Sequence, residues 1–99
     1  MKDLVYYNEL FEIYSELLTD KEKEAFKDYY YEDLSLSEIA ENNDISRAAV
    51  SKMVNTVVDK LKYYESIIHK HEMKDLIGKS ISSNDLNDIK SILNDINNL

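Results

Sequence analysis

The 99-residue chain has no cysteine and no proline, and its one glycine is Gly78. Without cysteine there is no disulfide, no thiol nucleophile and no cysteine zinc site. Tight β-hairpin turns and phosphate-cradling loops both lean on glycine, so both are nearly excluded. No run reaches about 18 apolar residues, which excludes a membrane-spanning helix. The opening stretch MKDLVYYNELFEIY mixes acids into its apolar residues and lacks a small-residue cleavage site, unlike a signal peptide. A cytoplasmic protein is the expectation. Catalysis also lacks its parts: there is no phosphate loop, no nucleophile elbow and no His–carboxylate pair at ligand spacing. Neither an enzyme nor a bound cofactor is expected. Basic residues are scarce and uneven in kind, since only Arg47 among the 12 Lys and Arg is an arginine.

What is present is amphipathic helix. The hydrophobic fraction is 43% and the charged fraction 32%, which fits one soluble globular domain with, at most, an extra arm. A chain of this size buries only about two-thirds of its unfolded surface, so it supports a single core. The expected class is all-α. Formal net charge is −8, spread unevenly. Residues 1–33 carry 4 basic and 10 acidic groups, residues 34–71 carry 5 of each, and residues 72–99 carry 3 and 5. Phosphate neutralisation needs clustered Lys and Arg, so a nucleic-acid contact, if there is one, falls in 34–71. The acidic surface of 1–33 is either a solubility surface or a face for a basic protein partner.

The apolar periodicity gives five helices. Leu4, Tyr7, Phe11, Tyr14 and Leu18 form the first stripe, thickened by Leu10 and Leu17. Thr19 opens a capping box with Glu22, and a second helix carries Ala25, Phe26, Tyr29 and Tyr30 to near Asp33. Ser35 and Glu38 form another capping box before a short helix through Ile39 and Ala40, which Asn42, Asn43 and Asp44 end. Ser46 caps the next helix, whose stripe Val50, Val54, Val57, Leu61, Tyr64 and Ile68 meets no breaker before His71. That helix is roughly 39 Å long, more than the globule covers. Its second half needs the N-terminal helix, a second copy of the chain, or the C-terminal arm as partner. A homodimer is expected from the stripe Val57 to Ile68. Gly78 and Ser80–Ser83 break the pattern, and Leu86, Ile89, Leu93 and Ile96 form a last, Asn-rich helix. The domain expected to carry the function is 1–71, with 72–99 as a C-terminal helical extension.

Residues 35–55 meet the physical demands of a helix-turn-helix. Ala40 is the small residue where the helices cross, Asp44 the αL-tolerant turn residue, and Ile45 the apolar plug. Val50 and Met53 face inward. This leaves Ser46, Arg47, Ala48, Ser51, Lys52 and Asn55 for the outward face, in types that contact phosphates or base edges. The competing reading is a plain solvated face, because charge there is sparse. The run Tyr29–Tyr31 suits either base stacking or packing, and the place of Tyr29 and Tyr30 on the stripe favours packing. His69 and His71, with Glu65 and Glu72, lie on different helix faces, so no metal site is expected.

The run LSLSEIAENNDISRAAV resembles the helix-turn-helix of sigma-factor region 4, and the preceding LTDKEKEAFKDYYYED resembles the helix before it. With the Leu/Phe/Tyr-rich start ending in LLT, residues 4–72 look most like the YlxM family of small helix-turn-helix proteins, encoded beside signal recognition particle genes. The resemblance implies a sigma region 4-like bundle with a long recognition and dimerisation helix and a C-terminal helical arm. It also implies a nucleic-acid-binding or regulatory role in the signal recognition particle pathway, through that particle's RNA, its GTPase or the corresponding genes. The alternatives are a DNA-binding transcriptional regulator and a protein–protein adaptor. The chain departs from the family at Ala48 and Ala49, where bulkier polar residues are common.

Overall fold

The computed structural model describes residues 3–83 and 85–99. Among them there are six α-helices and no strand: α1 (Leu4–Tyr14), α2 (Asp20–Phe26), α3 (Leu36–Asn43), α4 (Arg47–Ile68), α5 (Lys70–Ser82) and α6 (Leu86–Asn97). The chain divides into two compact units, Met1–Tyr64 and Glu65–Leu99.

In the first unit the caps set the helix starts. Thr19 Oγ1 accepts from Glu22 N at 3.2 Å and Glu22 Oε1 accepts from Thr19 N at 2.9 Å. Ser35 and Glu38 repeat the box at 3.0 and 3.1 Å. Each box satisfies two backbone donors that a helix start leaves open. Glu22 is itself buried, and its second oxygen meets Lys60 Nζ of α4 at 2.7 Å.

Helix α1 stops at Tyr14, earlier than its stripe suggests. A 3₁₀ turn (Ser15–Leu17) follows, and Leu18 is extended. The tighter turn rotates Leu17 out of the stripe, so it is 52% exposed while Leu18 is buried. The Tyr64 hydroxyl reaches the Leu17 carbonyl at 3.4 Å. One core cluster joins Leu10, Phe11, Tyr14, Leu18 and Phe26 to Val57 and Leu61 of α4. The N-terminal helices are therefore the partner that covers the first part of the long stripe. The phenyl ring of Phe26, fully buried, stacks on Phe11 at 4.3 Å and on Tyr30 at 4.5 Å between centroids.

After Phe26 the second helix widens into a π turn (Lys27–Tyr31), closed by Asp33 at φ 54°. Asp, with its short polar side chain, tolerates that left-handed backbone. A second cluster (Ile39, Ala40, Val50 and Val54) holds α3 against α4, with Tyr29 and Tyr30 packed on it.

In the second unit the apolar stripes hold, ending at Ile68 and resuming at Leu86, but the breaker signals mislead. The long helix ends at Ile68, and His69 takes φ 57°. A new helix starts at once because Glu65 is positioned to receive it. Its two carboxylate oxygens accept from His71 N and Glu72 N, each at 3.1 Å. No proline or glycine marks this junction, so the sequence gives no stop signal. Of Gly78 and Ser80–Ser83, expected to break the pattern, Gly78 through Ser82 lie inside α5, and Ser83 ends it. A mid-helix glycine costs about 1 kcal/mol against alanine, which a helix packed on a neighbour tolerates. Helix α6, capped by Asp85 on Asn87 N at 2.8 Å, packs on α5. The C-terminal arm is thus two helices, and neither contains a buried residue.

Candidate nucleic-acid interface

The site grows from the turn between α3 and α4. Helix α3 ends because Asp44 turns left-handed, at φ 54° and ψ 45°. Its N–H then bonds back to Glu41 O, and Ile45 N donates to Ala40 O at 3.0 Å. This pair of bonds is the Schellman pattern, here with Asp where glycine is commoner. Ser46 restarts the helix: its Oγ accepts from Ala49 N at 3.0 Å. The chain turns within three residues, and the two helices then lock through Ala40 and through Val50, which is 1% exposed.

The expected inward residues divide. Val50 is buried and Met53 half-buried. Ile45 is not a buried plug: it is 41% exposed and lines a cavity of about 330 Å³ with Ala25, Ile39, Val50 and Met53. The backbone bond to Ala40 holds Ile45 at the helix end, where the neighbouring side chains leave space rather than close over it.

The expected outward residues are placed as follows. Arg47, Ala48, Lys52 and Asn55 are exposed, and Ser51 is half-buried. Ser46 is exposed, with its oxygen engaged as the helix cap. Among the described residues Arg47 and Lys52 have no carboxylate partner. They are cations held on a rigid helix and left open to solvent, a geometry suited to phosphate oxygens. Asp59, four residues after Asn55, ends this row with the opposite charge.

Sequence reasoning missed one cation. Lys62 lies seven residues after Asn55, so helical spacing was the available signal. Its Nζ sits 5.6 Å from the Tyr7 ring centroid. The hydrogen bond with Tyr7 holds the ammonium above the usual lysine value. Tyr30, by contrast, has its hydroxyl pushed up by burial, with Tyr29 and Tyr7 adding to the shift.

A short helix, a left-handed turn and a long helix with an open polar row form a helix-turn-helix. The family model described as "Putative helix-turn-helix protein, YlxM / p13 like" matches residues 1–98. The chain belongs to the UPF0122 family. It is 38% identical over 89 residues to a UPF0122 protein of Malacoplasma penetrans, covering 87% of this chain and 83% of that one. A UPF0122 protein of Fusobacterium nucleatum is 44% identical over 72 residues, covering 73% and 70%. One from Mycoplasma mycoides is 43% identical over 82 residues, covering 83% and 73%. The match extends through the two C-terminal helices, beyond the stretch 4–72 that carried the resemblance. No described helix is long and apolar enough to cross a membrane.

Proposed function

We propose that α3 and α4 form a nucleic-acid-binding element through which this UPF0122 protein acts in the signal recognition particle pathway, in the cytoplasm. The observation that supports it most is the pairing of the Asp44 turn with Arg47 and Lys52, both open and, among the described residues, without a carboxylate partner. The binding residues in this reading are Ser46, Arg47, Ala48, Ser51, Lys52 and Asn55. The binding domain is 1–71, and 72–99 is its helical extension. Particle RNA is the first ligand to test, and duplex DNA is the alternative for the same face. The pathway assignment rests on the YlxM resemblance.

A second reading is favoured by the net charge of −6 over residues 1–33. An acidic surface attracts a basic protein, which suits an adaptor docking on the particle's GTPase. A homodimer belongs to both readings. Val57 and Leu61 are covered within the chain, so the dimer contact would use what remains exposed, Ile67 and Ile68. Sedimentation that finds only monomer at high micromolar concentration removes it.

The deciding experiment is fluorescence anisotropy against signal recognition particle RNA and mixed duplex DNA at two salt concentrations. Two phosphate contacts give a log–log salt slope of about −2, and Lys52→Ala should lower it by about 1. No binding of either at tens of micromolar protein overturns the nucleic-acid reading and leaves the adaptor.

A further inference from the structure

A cavity of about 350 Å³ opens beside the polar row of α4. Four elements build it. Tyr7 comes from α1, Tyr29 and Tyr30 from the π turn, and Leu36 from the start of α3. Helix α4 adds the aliphatic surface of Val54 and two polar groups, Ser51 and Asn55. These last two belong to the row that the helix-turn-helix reading places against nucleic acid. The polar row of α4 and an aromatic cavity therefore share a border.

The aromatic walls pack on one another. Tyr30 stacks on buried Phe26 and meets Tyr29 edge-on at 5.2 Å and 88°, and Tyr7 at 6.0 Å and 68°. All three tyrosines are half-buried. Ring surface is thus fixed before any ligand arrives, so little side-chain freedom is lost on binding. The π turn matters here because it carries both Tyr29 and Tyr30 to the cavity, and such turns recur at functional sites.

The chemistry on offer is specific. A nucleobase has two flat faces that stack on aromatic rings and a polar edge that needs donors and acceptors. The tyrosines supply the first. The Ser51 hydroxyl and the Asn55 carboxamide supply the second, and a carboxamide pairs well with an adenine edge. Lys52, next to Ser51, and Arg47, one turn before it on the same helix, supply charge for the adjoining phosphates. A paired base cannot enter, because both its faces are stacked in the duplex.

We propose that this cavity takes one unpaired base, with a preference for adenine, from a single-stranded or looped nucleic acid that lies along α4. The inference rests on the nucleic-acid reading of α4 and narrows it from any nucleic acid to one with unstacked bases.

The test uses the full chain and two fluorescein-labelled probes, an unpaired RNA hexamer of adenines and a blunt mixed-sequence RNA duplex. Anisotropy should show the hexamer bound at least about tenfold more tightly than the duplex. Hexamer binding should also quench tyrosine emission. Tyr29→Leu should weaken the hexamer by about tenfold and leave the duplex unchanged. A urea melt checks that this variant folds. Leu36→Phe, which narrows the cavity from outside the aromatic cluster, should do the same and carries the test if Tyr29→Leu is unfolded. Equal binding of both probes overturns the cavity while leaving the nucleic-acid reading intact. A hexamer preference that survives both variants also overturns the cavity. Binding of neither probe overturns the cavity, and the titrations against particle RNA and duplex DNA then decide the nucleic-acid reading by themselves.

Discussion

Replacing Glu22 should reveal how one buried carboxylate serves two elements at once. Its Oε1 caps the start of α2 on Thr19 N, and its Oε2 pairs with Lys60 of α4. Burial pushes this carboxyl up. The hydrogen bond from Lys60 and the bonds with Thr19 outweigh that and hold it below the ordinary 4.5. Glu22→Ala removes both contacts and strands a backbone donor. Losing such a cap costs about 1 kcal/mol, and the lost ion pair adds a smaller, salt-screened part. In a domain of this size about 1 kcal/mol lowers Tm by about 4–8 °C. Glu22→Gln keeps an acceptor for Thr19 N and removes only the charge, so it should fall between wild type and Glu22→Ala. The pH dependence follows from the lowered folded-state value. The charge contribution is present above the unfolded value near 4.5 and is lost as pH falls through the lower folded one. Wild type and Glu22→Gln should therefore differ at pH 7, and the gap should close as pH falls below 4.5 through the lower folded value. All eight tyrosines lie within residues 6–64, so a thermal melt followed by tyrosine emission reads this unit alone. A gap between wild type and Glu22→Gln that stays constant with pH, or Glu22→Ala melting with wild type, would refute the dual role.

Three further outcomes are expected. Phe26→Leu keeps most of the buried volume but loses the stacks on Phe11 and Tyr30, and should cost about 1–3 kcal/mol by urea unfolding, against about 3–5 for Phe26→Ala; equal urea midpoints for Phe26→Leu and wild type would show that the stacks contribute nothing. Asp44→Gly should be neutral or slightly stabilising, while Asp44→Val, β-branched at φ 54°, should destabilise by about 1–2 kcal/mol; the same melt decides, and tolerance of valine would contradict the left-handed turn. Gly78→Ala adds a methyl group into open space in the middle of α5 and should stabilise that helix by about 1 kcal/mol. Hydrogen exchange of the α5 amides should then slow about fivefold, and unchanged exchange would mean that Gly78 is not helical.

The helix-turn-helix was legible residue by residue because local chemistry dictates it. Thr19, Ser35 and Ser46 cap backbone donors within their own turn, and Asp44 meets a backbone need that few residues tolerate. The row Arg47, Lys52 and Asn55 follows from helical spacing once Val50 and Val54 are known to face inward. Where local signals were weak, the sequence reading went astray. Leu17 sits on a good stripe, yet a 3₁₀ turn takes it out. Helix α5 hides behind Gly78 and serine, because the cap that starts it comes from Glu65, several residues back along the chain.

What the sequence determined by itself was therefore the helical class, the caps and the turn, all set by contacts within about four residues. Tertiary structure alone decided what covers the long helix, since α1 and Phe26 reach Val57 and Leu61 only after the chain folds back. It also decided that Tyr7, Tyr29 and Tyr30 meet Ser51 and Asn55 around one cavity. Residues so far apart along the chain share no periodicity, and only packing brings them together.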